Sequence, residues 1–136
     1  MAKTNTKHST TRAAAQDLQI EACKLYSTLT GIPYGSSRDD AVAIKPRQSG
    51  QAGVDVVITQ WVRDKLIAAG IPDCCECKNT KTWNLQQAIL QARANTPKGS
   101  NWMLIMKRRS KLKVERIDPV VVMDLKVFMN LINRRI

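Results

Sequence analysis

The segment from Gly53 to Lys78 constrains the fold of this chain more than any other segment. It predicts two β-strands, and each of them carries charge within an otherwise apolar run. Asp55 lies in the first strand between two valines, where a carboxylate is a poor strand former and is costly to bury unless it is paired or binds a cation. Glu76 and Lys78 lie in the second strand. Three charged side chains are therefore expected on two strands.

The second predicted strand, Asp73 to Asn79, follows the two-residue alternation of a β-strand. Alternation places Cys75 and Cys77 on one face, and Glu76 and Lys78 side by side on the other. A carboxylate on one strand, with a carboxylate and an amine on the next, is the arrangement needed to hold a divalent metal and a water beside a phosphodiester.

The charge balance indicates a polyanionic partner. The 136 residues include 22 Lys and Arg against 11 Asp and Glu, which gives a formal net charge of +11. Nucleic acid is favoured over a membrane, because no apolar stretch approaches the roughly 20 residues that a spanning helix requires. The polar, basic segment from Met1 to Arg12 has no apolar core and is not expected to be a secretory signal. The length suits one compact domain.

Four cysteines, Cys23, Cys74, Cys75 and Cys77, are too closely clustered for a disulfide framework. Zinc is disfavoured, because neighbouring thiols on a strand point to opposite faces and no second, distant ligand pair follows. We interpret the cysteines as small buried side chains of an intracellular, cytoplasmic protein.

The hydrophobic periodicity and the turn residues predict a mixed order of helices and strands along the chain. The segments are a helix from Thr10 to a stop at Gly31, strands at Ala41–Lys45 and Val54–Thr59, a helix at Trp61–Ala69, the strand Asp73–Asn79, a helix at Trp83–Thr96, strands at Trp102–Met106 and Val114–Ile117, and a helix opened by Asp118 and Pro119 and running through Met123 to Ile132. This order predicts an α/β fold with a mixed central β-sheet flanked by helices. Residues 1–10 are expected to be a basic disordered tail, and residues 11–136 a single domain.

Two basic segments are candidates for binding phosphate oxygens. The first is a Gly-rich loop before the Asp55 strand, and the second is the densest basic cluster of the chain, at an expected hairpin turn. Their candidate residues are Lys45, Arg47 and Ser49, and Lys107, Arg108, Arg109, Lys111 and Lys113. The alternative for the loop is an ordinary hairpin whose cations are only solvated.

Two helical side chains have both a structural and a functional interpretation. Glu21 lies among the apolar positions of the first helix, and it is either a surface glutamate paired with Lys24 or Arg12, or an additional metal ligand. Gln91 lies four residues after Gln87 on the second long helix. Such glutamines usually face solvent, but a helix packed behind the Glu76 strand could direct one of them to a water or a phosphate.

Taken together, these residues resemble the PD-(D/E)XK nuclease superfamily. The resemblance lies in Gly53-Val54-Asp55, in Glu76-Cys77-Lys78 at a strand end, and in the helix that carries Gln91 thirteen residues after the lysine. Val54 replaces the proline that gives the motif its name. The small size and the layout are similar to archaeal-type and phage-type Holliday junction resolvases, over approximately Leu18 to Ile117. The resemblance implies a restriction-endonuclease-like core (αβββαβ).

The resemblance also implies roles for the residues. Asp55, Glu76 and the backbone carbonyl of Cys77 would bind Mg²⁺ or Mn²⁺, one or two ions per site, and Glu21 would complete the metal shell directly or through water. Lys78 would orient the attacking water or neutralise charge in the transition state. No small-molecule cofactor is expected.

The expected activity is a structure-selective DNA endonuclease, most similar to a Holliday junction resolvase of a bacterium or a phage-infected cell. It would act on branched or duplex DNA as a homodimer, because paired nicks require two active sites. The last helix and the Trp61–Ala69 helix are candidates for the dimer interface. Three alternatives stay open: another repair or recombination nuclease of the same fold, a non-catalytic nucleic-acid-binding protein on a degenerate nuclease fold, and a basic ribosome-associated or structural protein.

Overall fold

The computed structural model describes residues 2–48, 51–108, 112 and 118–134, with side chains from residue 13 onward. Within these residues, the chain forms four helices and five strands. They are α1 (Ala2–Thr30), β1 (Ile44–Pro46), β2 (Val56–Ile58), α2 (Gln60–Ala69), β3 (Cys74–Thr80), α3 (Leu85–Ala94), β4 (Trp102–Arg108), β5 (Val120–Met123) and α4 (Leu125–Asn133). The predicted α/β class is confirmed. None of the described helices combines the length and the apolar character needed to cross a membrane.

The strands form two sheets where the sequence predicted one. In the larger sheet the order is β3-β4-β5, with β3 parallel to β4 and β4 antiparallel to β5. The smaller sheet pairs β1 with β2 in antiparallel orientation. The two sheets meet just before β2, where the amide of Asp55 donates to the carbonyl of Cys75 at 3.1 Å. A mixed sheet flanked by helices is therefore present, but its hydrogen bonding is interrupted beside Asp55.

Helices cover the larger sheet on both faces, and the alternation of β3 decides which side chains each helix meets. Cys75 and Cys77 belong to the core that includes Leu18 of α1. On the other face, Ala88 and Ala92 of α3 pack with apolar side chains of β4. Glu76 and Lys78 share this second face, since the side-chain period of a strand is two residues. The predicted division of β3 between its faces is confirmed.

The cysteines act as packing residues of the core. All four are free and buried. Burial raises the pKa of the Cys23 thiol to about 12, which keeps it in the unreactive protonated form at neutral pH. The small hydrophobic role predicted for these residues is confirmed.

Several element boundaries differ from the predicted ones. α1 begins at Ala2 and not near Thr10, so the expected tail is described as helix, and the domain boundary after residue 10 stays a prediction. β1 begins at Ile44, three residues later than predicted. α2 ends as predicted at Gly70, whose φ of 74° lets its amide donate to the carbonyls of Leu66 and Ile67.

The prediction of helix from residue 118 to 123 is wrong. Val120–Met123 is the edge strand β5, with Val122 opposite Leu104 of β4. Three consecutive β-branched valines favour an extended strand over the first turns of a helix. Asp124 keeps an extended conformation (φ −62°, ψ 138°), and α4 starts only after it. The strand predicted at Val114–Ile117 lies outside the described residues.

Tyr26 anchors α1 to the segment that precedes β3. Its buried hydroxyl donates to the carbonyl of Pro72 at 2.7 Å. We expect Tyr26→Phe to lower the free energy of unfolding by about 1–2 kcal/mol, because the Pro72 carbonyl is left buried without this donor. Urea unfolding measures the loss. Tyr34→Phe, at a side chain that is 37% exposed, is the matched control, and equal stability of wild type and Tyr26→Phe would contradict the assignment.

Candidate functional site

Asp55 is held at the point where the two sheets meet. Its carboxylate oxygen Oδ2 accepts a hydrogen bond of 2.8 Å from the amide of Cys77, while its own amide donates to Cys75. The next hydrogen bond along β3 is thus accepted by the Asp55 side chain and not by a backbone carbonyl. Regular backbone pairing therefore does not continue between β3 and β2. Because a strand residue turns its N–H and C=O to the same neighbour, the Cys77 carbonyl lies on the Asp55 side of β3.

Glu76 is a buried acid on the adjacent strand, with only 2% of its surface exposed. Its Oε1 accepts a hydrogen bond of 2.7 Å from Nδ2 of Asn95. Burial raises the pKa of Glu76, the negative charge of Asp55 raises it further, and the result is a pKa of about 7. The Asn95 hydrogen bond and the positive charge of Lys78 act in the opposite direction. The two carboxyl groups are close enough to hydrogen-bond when Glu76 is protonated.

Lys78 supplies the amine of the site, and Gln91 is its hydrogen-bond partner. Lys78 lies two residues after Glu76 on the same face of β3, and its Nζ donates to Oε1 of Gln91 on α3 at 2.6 Å. Gln91 thus faces β3 through Lys78, and its predicted contact with a water or a phosphate stays a prediction. Gln91 therefore fixes the lysine amine, and the amine lies near enough to Glu76 to lower the pKa of its carboxyl.

The carboxylates of Asp55 and Glu76 fit a divalent cation. Burial raises the pKa of Glu76 to about 7, and the negative charge of the neighbouring Asp55 adds to the shift, so a positive charge between the two groups would stabilise both ionised carboxylates. Their oxygens, together with the carbonyl of Cys77, are the hard ligands that Mg²⁺ and Mn²⁺ prefer.

Glu21 does not join the pair formed by Asp55 and Glu76. It stands exposed on α1, whose buried side chains at this level are Leu18, Ala22 and Cys23. Among the described residues, no group of three or more His, Cys, Asp and Glu side chains could hold a metal ion. The contribution of Glu21, through a water or otherwise, stays a prediction.

The predicted phosphate-binding residues are only partly described. Lys45 lies 3.6 Å from Asp40, so part of its charge is already compensated. Lys107 and Arg108 pair in register with the end of β3, just beyond Lys78. Arg108 donates to the carbonyl of Lys81 at 3.3 Å. The residues that lie outside the described part are Ser49, Arg109, Lys111 and Lys113.

Sequence reasoning missed Asn95 and the pair formed by Arg63 and Asp73. Asn95 follows Gln91 by four residues, so both side chains project from one line of the helix, and this spacing was the signal that could have identified it. Asp73 is buried and receives Nε and Nη2 of Arg63 at 3.1 and 3.0 Å. Its Oδ1 also accepts from the amide of Asn101 at 2.9 Å. Asp73 is therefore a structural ion-pair partner that joins α2 to β3.

No protein family profile, curated protein or solved structure matches this chain.

Proposed function

We propose that this protein is a metal-dependent DNA endonuclease with the site chemistry of the PD-(D/E)XK nucleases. The observation that carries the proposal is the convergence of Asp55, Glu76 and Lys78. One carboxylate from the junction of the sheets meets a buried carboxylate and an amine on β3. The chain order from α1 to β4 is also that of the αβββαβ core, if α2 is taken as an insertion.

The residues of the site have separable roles in the proposed hydrolysis. Asp55 and Glu76, with the carbonyl of Cys77, would hold a divalent cation, which supplies Lewis-acid polarisation of the phosphate and a more acidic water. Asn95 orients the Glu76 carboxylate, since it donates to one of its oxygens. Lys78, held by Gln91, places a positive charge where negative charge develops in the transition state.

A branched DNA substrate is the form of the proposal that best suits a small, strongly basic chain. The net charge of +11 favours contacts with several phosphates, and one domain offers little additional surface for reading bases. The test is incubation of the protein with a labelled four-way junction, a replication fork, a duplex and a single strand in Mg²⁺. Paired nicking of the junction alone supports a resolvase. Equal cutting of all four DNAs indicates a general nuclease, and metal-independent binding without cleavage contradicts the endonuclease proposal.

The apolar surface of α4 supports a homodimer. Leu125, Phe128, Met129 and Ile132 recur at helical spacing on one stripe, and Leu125 is 74% exposed. Val127 is the buried residue of this helix and lies on the opposite side. The broader apolar face of α4 thus points away from its own domain, where a second copy of the chain would cover it.

We expect Phe128→Glu to convert the dimer into a monomer, because the apolar stripe would then bury an unpaired charge. Sedimentation velocity measures the change, and Lys126→Glu on the same helix is the matched control. A wild-type protein that sediments as a monomer, or a Phe128→Glu variant that stays dimeric, would contradict this interface.

A further inference from the structure

A cleft of about 320 Å³ opens beside the candidate site. Its lining includes Arg47, Arg63, Asp73 and Asn95. Asn95 faces both regions, because it lines the cleft and also donates to Glu76. A group bound in the cleft would therefore lie next to the carboxylates.

Arg47 is fixed at this cleft by two features of the chain. Its Nε donates to the carbonyl of Val54, and its amide donates to the carbonyl of Asp55 at 2.8 Å. The guanidinium group also lies closely over Gly53, where a Cβ atom would approach Arg47 Cζ and Nη2 to 2.9 Å. The absence of a side chain at Gly53 thus gives the guanidinium group its place close to Asp55, just before β2.

Among the described residues that line the cleft, Arg47 carries a positive charge with no ion-pair partner. Arg63 is paired with Asp73 at 3.0 Å, so these two lining residues neutralise each other. In the part of the chain that the structure describes, the terminal nitrogens of Arg47 have no hydrogen-bond partner, and only Nε is engaged. A guanidinium fork with free terminal donors matches two oxygens of a phosphate.

We propose that Arg47 is a fixed receptor for a single DNA phosphate, the one adjacent to the phosphodiester held at Asp55 and Glu76. The inference rests on the proposed nuclease function and adds a defined contact to it. Diffuse attraction by a basic surface depends on total charge and acts on many phosphates. A fork held by Val54 and Gly53 acts on one phosphate only.

The test combines protein variants with chemically modified DNA. Four-way junctions are prepared with one neutral methylphosphonate at each successive position around the cut site, and Kd is measured in EDTA so that nothing is cleaved. We expect one position to weaken binding of the wild type about tenfold to a hundredfold, as for loss of a charged hydrogen bond. In Arg47→Lys, which keeps the net charge, the same position should have little effect, because an ammonium group cannot reproduce the fork.

Two glycine variants test whether the position of the Arg47 guanidinium group matters when the arginine itself is kept. Gly53→Ala puts a methyl group into the space of the guanidinium group at a φ of 114°, and it should lose the same single-phosphate sensitivity. Gly99→Ala is the control, because its φ of 89° imposes similar backbone strain while its Cβ would meet no atom within 4 Å. Arg38→Ala removes one exposed charge that does not line the cleft and should keep the wild-type pattern.

The outcomes separate this inference from the proposed function. If every methylphosphonate affects Arg47→Lys as it affects the wild type, or if the wild type binds no DNA, the phosphate receptor is overturned. Retention of the wild-type pattern by Gly53→Ala also overturns it. A wild type that shows the single sensitive position but cuts no DNA in Mg²⁺ supports the receptor and contradicts the nuclease.

Discussion

Asp55→Asn and Glu76→Gln should each abolish DNA cleavage in Mg²⁺, with a fall in the single-turnover rate of about a thousandfold or more. Each change replaces a carboxylate oxygen of the proposed cation site with an amide group and removes a charge. A cation at this site would supply several kcal/mol of transition-state stabilisation, and each 1.4 kcal/mol corresponds to about a factor of ten in rate.

The same variants should still bind DNA. Removal of a negative charge lowers the repulsion of phosphates, so the affinity for a four-way junction in EDTA should be kept or increased. Asp64→Asn is the matched control, because Asp64 is an exposed carboxylate on α2 that is hydrogen-bonded to Gln60. Undiminished cleavage by Asp55→Asn or Glu76→Gln would remove the basis of the metal assignment.

The charged residues of the site could be predicted from the sequence because they depend on local geometry. The alternation of β3 places Glu76 and Lys78 on one face whatever the rest of the fold does. Asp55 was identified because a carboxylate between valines requires a partner, and the structure supplies the amide of Cys77. Each inference used only the period of a strand or the cost of burying a charge.

Features that depend on tertiary packing could not be predicted in the same way. Asn95 donates to Glu76 only because α3 crosses behind β3 at a particular height. The strand β5 was mistaken for helix because the hydrophobic pattern continues from Val120 into α4, and only pairing with β4 separates the two elements. Glu21 was placed near an apolar stripe, but the helix is rotated so that this side chain is exposed.

Glu76 should make the metal-free protein less stable as the pH rises. Its pKa is about 7 in the folded protein against an ordinary glutamate value of 4.5. Between these two values the folded protein binds more protons than the unfolded chain, so the free energy of unfolding falls as the pH increases and levels off above the folded pKa. The shift corresponds to a loss of about 3 kcal/mol between pH 4 and pH 8. Urea unfolding in EDTA across this range measures it.

Glu76→Gln should remove this pH dependence and make the metal-free protein more stable than the wild type at pH 8, although the variant is inactive. The glutamine has nearly the same shape, and its amide oxygen can still accept from Asn95.

Mg²⁺ at pH 8 should stabilise the wild type, because the cation binds the ionised pair only in the folded state, and it should have little effect on Glu76→Gln. Glu21→Gln is the matched control for the measurements in EDTA. If the wild type and Glu76→Gln lose stability in parallel between pH 4 and pH 8, the pKa of Glu76 is not raised by burial and by the charge of Asp55 in the way that the structure indicates. A functional role accounts for this pair better than stability does, because burial of Glu76 beside Asp55 makes the ionised acid costly and a bound cation would lower that cost.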